Sequence, residues 1–121
     1  MKLKKTLVIG ASENPDRYAY KAINALLQKE HTVEAIGNKT GNVGGVLIHT
    51  TPMLFQDIDT VTLYLNPKNQ KDYYQYIIDL HPRRVIFNPG TENKEFYALL
   101  ISNDIQVEEA CTLVLLATHQ Y

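Results

Sequence analysis

The chain has 121 residues, 45% of them hydrophobic and 21% charged, enough to bury a core as one domain over 1–121 without metal or disulfide help. A formal net charge of -1 excludes a general pull toward DNA, RNA or an anionic membrane, while leaving room for a local basic spot that holds one phosphorylated small molecule. Cys111 is the only cysteine, which excludes an internal disulfide and fits a reducing compartment.

Behind the basic start, Met1 to Lys5, the apolar stretch is only Leu7 to Ile9 plus small residues before Glu13, Asn14, Pro15 and Asp16 end it. A secretory signal needs roughly 7–15 apolar residues in a row and a membrane span ~20, so the expected location is cytoplasmic. In chain order, Thr6–Gly10 is a continuous apolar run, the pattern of a strand covered on both faces. Ala19, Ala22, Ile23, Leu26 and Leu27 then fall on one face of a helix, with Asn14 as its N-cap and Pro15 as its first residue. Thr32–Gly37 is a second strand and Gly45–Thr50 a third. Gly41, Gly44 and Gly45 form a flexible connection between them. Thr60–Asn66 is a fourth strand, ended by Pro67, and Tyr73, Tyr76, Ile77 and Leu80 mark the core face of the next helix, leaving Tyr74 exposed. Arg84–Asn88 is a fifth strand, stopped by Pro89-Gly90. Thr91 caps a helix whose inner face holds Phe96, Leu99 and Leu100. Ile105–Val107 makes a short sixth strand before a last apolar segment, Cys111–Ala117. Within that segment Leu113–Ala117 is apolar on all sides, either sandwiched in the fold or part of a dimer contact.

Strands alternating with helices imply a doubly wound α/β fold: a mainly parallel sheet with helices on both faces. In such sheets ligands bind at the carboxyl ends of the strands, where strand order reverses. The candidate positions are therefore Gly10–Ser12, Gly37–Lys39, Asn66–Pro67 and Asn88–Gly90. Gly10, Ala11 and Ser12 are small enough to let a phosphate reach free N–H groups at a helix start, and Arg17 can add a bidentate contact, while Asp16 opposes an anion there. After the second strand, a fold that selects NAD places a carboxylate on the ribose. Here Asn38 and Lys39 stand instead, which suits a ribose carrying its own phosphate, as in NADP or coenzyme A. Ser12 occupies the position of the glycine over which an NADP pyrophosphate passes, so coenzyme A is the stronger candidate.

Four stretches in order, GASENPDRYAYKA, HTVEAIGN, NPGTENKEF and VEEACTLVLL, resemble the small bacterial CoA-binding domain proteins. Their Rossmann-like fold is similar to the CoA-binding domain of the succinyl-CoA synthetase alpha subunit. The resemblance runs from about Lys5 to Leu116. It implies that Gly10, Ala11, Ser12 and Arg17 line the first CoA-contacting loop, and that Asn38 and Lys39 face the phosphorylated ribose. It also implies that Asn66, Pro67, Asn88, Pro89 and Gly90 face the adenine or pantetheine arm. Tyr20 falls in the family's Arg-x-Ser-Tyr element, whose serine is Ala19 here. The family's Asn-Pro after the second strand is Gly37-Asn38, and its Gln-x-Gly after the fifth is Asn-Pro-Gly.

No catalytic constellation emerges. His31, His49, His81 and His119 form no metal-binding spacing, and one cysteine cannot build a zinc quartet. His31 and His81 read as surface loop residues. Cys111 follows Glu108-Glu109-Ala110, which disfavours a thiolate, so it reads as a buried small hydrophobe, and the two glutamates as caps. The expected function is non-catalytic binding of coenzyme A or an acyl-CoA, with a homodimer as one option. The alternatives are a ligand-free scaffold or dimerising interaction protein on the same fold and, behind it, an NADP-binding protein.

Overall fold

The computed structural model describes residues 2–121. In chain order the elements are β1 (Thr6–Ala11), α1 (Tyr18–Gln28), β2 (Val33–Gly37), β3 (Gly41–Val43), β4 (Val46–His49), β5 (Thr60–Leu63) and α2 (Pro67–Gln70). A 3-10 turn (Lys71–Tyr73) follows, then α3 (Tyr74–Leu80), β6 (Arg84–Phe87), α4 (Lys94–Ser102), β7 (Gln106–Glu109) and α5 (Thr112–Ala117). The strands form one seven-stranded sheet in the order β3-β4-β2-β1-β5-β6-β7. All neighbours pair parallel except β3 with β4. This is a Rossmann-like α/β fold, and strand order reverses beside β1, which has β2 on one side and β5 on the other.

The apolar run of β1 lacks polar alternation because both faces of the sheet are covered. Val8 packs with Ala19, Ile23 and Leu26 of α1 and Leu115 and Leu116 of α5. Leu7 and Ile9 point the other way, toward Ile77 of α3 and Phe96 and Leu100 of α4. Complete burial of Ile23 and Leu26 stabilises by roughly 1.5–3 kcal/mol each relative to exposure, which holds α1 on the sheet although no side chain caps it.

Several local expectations change. Asn14 does not cap α1. Its Oδ1 accepts from the Asp16 N–H at 3.0 Å and its carbonyl from the Arg17 N–H at 3.0 Å, so residues 14–17 form a turn and Arg17 takes the N-cap position. Gly41 lies in β3, and Gly44-Gly45 (φ +57 and +91) is the tight turn of a β3–β4 hairpin rather than a flexible connection. Asn93, not Thr91, caps α4, its Oδ1 accepting from the Phe96 N–H at 3.2 Å, while Thr91 donates its hydroxyl to the Asn88 carbonyl. Leu99 is 38% exposed, turned away from the inner face of Phe96 and Leu100. Tyr74 is half-buried, stacked on Phe96 at 4.3 Å between ring centroids.

His31 is buried, not a surface loop residue. The reason is how α1 ends. Glu30 adopts the left-handed conformation (φ 66), its N–H bonds to the Leu27 carbonyl, and the His31 N–H reaches back to the Leu26 carbonyl at 3.1 Å. This Schellman geometry turns the residue after the left-handed one back onto the helix. The same pattern closes α4 with Asp104 left-handed and Ile105 bonded to Leu100.

Candidate functional site

Gly10 shapes the carboxyl end of β1. Its φ of +95 breaks the strand's regular geometry, and the pairing with β2 slips between Ile9 and Ala11. A side chain there would place Cβ 3.0 Å from the main-chain carbon of Tyr64, so only glycine lets the chain turn this close to the end of β5.

Above this turn lies a cleft of about 940 Å³, at the upper end of the range of ligand pockets. The first loop contributes Gly10, Ala11, Ser12 and Arg17, and the segment after β2 contributes Asn38 and Lys39. The segment after β5 contributes Asn66, and that after β6 contributes Pro89 and Gly90. The cleft thus sits where strand order reverses, and it is open, with Lys39 on its wall. The other three candidate positions do not line it. Tyr20 lies in the first turn of α1 and packs against the α1–α5 side of the core. Pro67 is the first residue of α2, beside Asn66, whose Oδ1 caps that helix by accepting from the Asn69 N–H at 2.9 Å. Asn88 is buried, its side-chain polar groups bonded to Thr62, Leu63 and Thr112, so it holds the floor in place and faces no solvent.

Residues 4–117 match the family model described as CoA binding domain. The chain belongs to that family. A crystal structure of an uncharacterized protein, 44% identical, superposes over 100% of both chains with a TM-score of 0.97. A protein from Thermus thermophilus matches at 20% identity and TM-score 0.87, over 98% of this chain and 91% of its own. A Pyrococcus furiosus protein matches at 22% identity and TM-score 0.82, over 93% of this chain and 98% of its own. The latter two likenesses concern the fold alone. No curated protein matches significantly.

Several groups on the wall of this CoA-binding-domain cleft escaped the sequence reading. Tyr64 projects from just beyond β5. Burial pushes its hydroxyl up to about 12, and Thr112 and Thr62 beside it offset only part of that rise. Its signal in sequence was its place between the strand TVTL and the capping Asn66. Glu13 lines the cleft too, but its carboxylate leans onto the hairpin, accepting from the Asn42 N–H at 2.8 Å. That bond spreads its charge and leaves Asp16 as the carboxylate most available to oppose an anion. Tyr18, 65% exposed, stands on the wall where α1 begins.

The electrostatic character follows from these positions. The first turn of α1 has N–H groups with no side-chain cap, and a helix start offers those donors together with the positive end of its dipole. Arg17 and Lys39 add two cations against Glu13 and Asp16. The histidines and Cys111 stand outside the cleft lining. Cys111 is half-buried at the N-cap of α5. Glu108 and Glu109 lie in β7, where Glu108 pairs with Arg84 and Glu109 accepts from the Tyr97 hydroxyl, so neither caps a helix. Among the described residues no group of three His, Cys, Asp or Glu could hold a metal ion, and no helix is long and apolar enough to cross a membrane.

Proposed function

We propose that the chain binds coenzyme A or an acyl-CoA in this cleft, without catalysing a reaction on it. The observation that carries the reading is the uncapped start of α1 opening onto a large cleft at the strand-order reversal, with Arg17 and Lys39 on its walls. In this arrangement the pyrophosphate lies against the first-turn amides and Arg17, over Gly10, Ala11 and Ser12. Lys39, with Asn38, takes the phosphate on the ribose. Asn66, Pro89 and Gly90 border the rest of the ligand.

Thermal unfolding with coenzyme A, dephospho-CoA, NADP and NAD tests this. Ligand at ~100 times its dissociation constant adds roughly 2.7 kcal/mol, which for a domain of this size raises the midpoint by several degrees. The expected order is coenzyme A first, dephospho-CoA weaker, and the nicotinamide dinucleotides weakest. No shift at millimolar coenzyme A sinks the reading. A second reading, a scaffold that has kept the fold and binds no nucleotide, draws on Glu13 and Asp16 on the same wall. It expects no response to any of the four.

A further inference from the structure

At the opposite end of the sheet from the cleft, the first residues of β1, β5 and β6 are Thr6, Thr60 and Arg84, all buried. Tyr121 lies over them. Its hydroxyl shares a 2.5 Å hydrogen bond with Thr6 Oγ1, and its main-chain oxygen accepts from Lys4 Nζ. Its ring centroid is 4.5 Å from Arg84 Cζ, 5.5 Å from Lys4 Nζ and 5.0 Å from the centre of the His31 ring.

Two buried side-chain polar atoms among the described residues have no hydrogen-bond partner: His31 Nε2 and Arg84 Nη2. Both belong to side chains packed against the Tyr121 ring. The closed arrangement therefore leaves two N–H donors without an oxygen or nitrogen acceptor, and opening it would give both of them water. His31 also has a fixed tautomer. Its Nδ1 accepts from the Lys4 main-chain N–H at 2.9 Å, so the ring's own proton is on Nε2.

We propose that Tyr121 is a latch over the amino-terminal end of the sheet, and that protonation of His31 opens it. A proton on Nδ1 would turn an acceptor into a donor facing the Lys4 N–H, and the Lys4–His31 bond would break. The new charge would join two cations already there, Lys4 before β1 and Arg84 on β6. The nearby carboxylates are committed: Asp59 holds Arg83 at 3.0 Å and Thr60 at 2.6 Å, and Glu108 holds Arg84 at 3.0 Å. Displacing the Tyr121 ring, which packs on the imidazole, would give the imidazolium water and would also hydrate Arg84 Nη2. Burial, then the Lys4 charge, hold the His31 imidazole below the ordinary histidine value. The latch therefore stays shut at neutral pH and opens on the acid side.

The test follows the Tyr121 ring and His31 Cε1 signals by NMR in the whole chain, from about pH 8 to 5, beside the variant His31→Asn. An asparagine oxygen can accept the Lys4 N–H as Nδ1 does, but takes up no proton. The expected result is a Tyr121 shift toward solvent-exposed tyrosine positions, with the same midpoint as His31 and below about 6.5, and no such shift in His31→Asn. A Tyr121 ring that stays fixed while His31 titrates overturns the proposal. So does a shift that persists unchanged in the variant, or a His31 that remains neutral until the whole chain unfolds in acid. If the variant does not fold, wild type decides alone: loss of the Tyr121–His31 ring-to-ring NOE at the His31 midpoint supports the latch, and an NOE that persists while His31 titrates removes it.

Discussion

Asn88 Oδ1 accepts the first N–H of α5, from Thr112, at 2.9 Å, while its Nδ2 donates to Thr62 Oγ1 at 2.7 Å and to the Leu63 carbonyl at 2.9 Å. One buried side chain therefore joins β5, the end of β6 and the start of α5 beneath the cleft. Thr62 and Thr112 close the network with a 2.8 Å bond between their hydroxyls.

Replacing Asn88 with alanine leaves the Thr112 N–H without its partner in the interior and strips one hydrogen bond each from Thr62 and the Leu63 carbonyl. The orphaned donor costs about 1–3 kcal/mol and the lost bonds add to it, so Asn88→Ala loses about 3 kcal/mol and on the order of 10 °C in melting temperature. Denaturant and thermal melts check this, and a variant as stable as wild type would show that the network carries no weight.

Gly10→Ala tests the bulge. The new Cβ meets the Tyr64 main chain and Cβ at 3.0–3.1 Å, at a φ of +95 that disfavours any side chain. Strain and overlap together cost about 2–4 kcal/mol, visible as a lower denaturant midpoint. Retained stability would mean that β1 can end in another conformation.

The two charges that bear on an anionic ligand predict opposite effects. Lys39→Ala weakens coenzyme A binding by roughly 3–10-fold and leaves dephospho-CoA unchanged, since an exposed cation gives up only a modest, salt-screened contact. Asp16→Asn removes a carboxylate from the cleft wall and tightens both ligands about 2–3-fold at low salt, an effect that fades as salt is raised. Isothermal titration at two ionic strengths separates the two. Equal losses for coenzyme A and dephospho-CoA in Lys39→Ala would take the ribose phosphate away from Lys39.

The parts of this fold legible in sequence are those set by local pattern. The apolar run of β1, the inner face of α1 from Ala19 to Leu26, and the strand ends that gather Gly10, Lys39, Asn66 and Gly90 all follow from periodicity and chain direction. What stayed hidden depends on distant partners. β3 is three residues long and exists only through β4, although Gly44-Gly45 was itself a turn signal. Asn14 looked like a cap, but its oxygen is engaged two residues on, by Asp16. His31 reads as a loop residue until the Schellman closure of α1 turns it inward, against Lys4 and Tyr121 from opposite ends of the sequence. Asn88 lies at the expected strand end, yet its role is set by Thr62 and Thr112, 26 and 24 residues away.

Glu30 offers a stabilising change. It holds the left-handed position after α1 (φ 66) and its side chain is exposed, so it bears the Cβ strain of that conformation. Glycine relieves the strain in the folded chain and gives back part of it as added freedom in the unfolded one. Glu30→Gly should gain about 0.5–1 kcal/mol, read as a melting temperature a few degrees higher. A loss would mean that the left-handed geometry is held without strain.

Tyr64 makes stability depend on alkaline pH. In the unfolded chain its hydroxyl releases a proton near the ordinary tyrosine value of about 10, whereas burial in the fold pushes it up to about 12. The unfolded state therefore binds fewer protons between those values, and rising pH favours it. The contribution of neutral Tyr64, on the order of 2 kcal/mol, is fully present below about pH 10 and is lost as pH climbs through the folded value. Tyr76, also pushed up to about 12 by burial, adds to the same slope. Chemical denaturation at about pH 8 and pH 11 should show the fall, and Tyr64→Phe, which cannot ionise, should show a shallower one. An identical slope in Tyr64→Phe would mean that the Tyr64 hydroxyl ionises as freely in the cleft wall as it does in water.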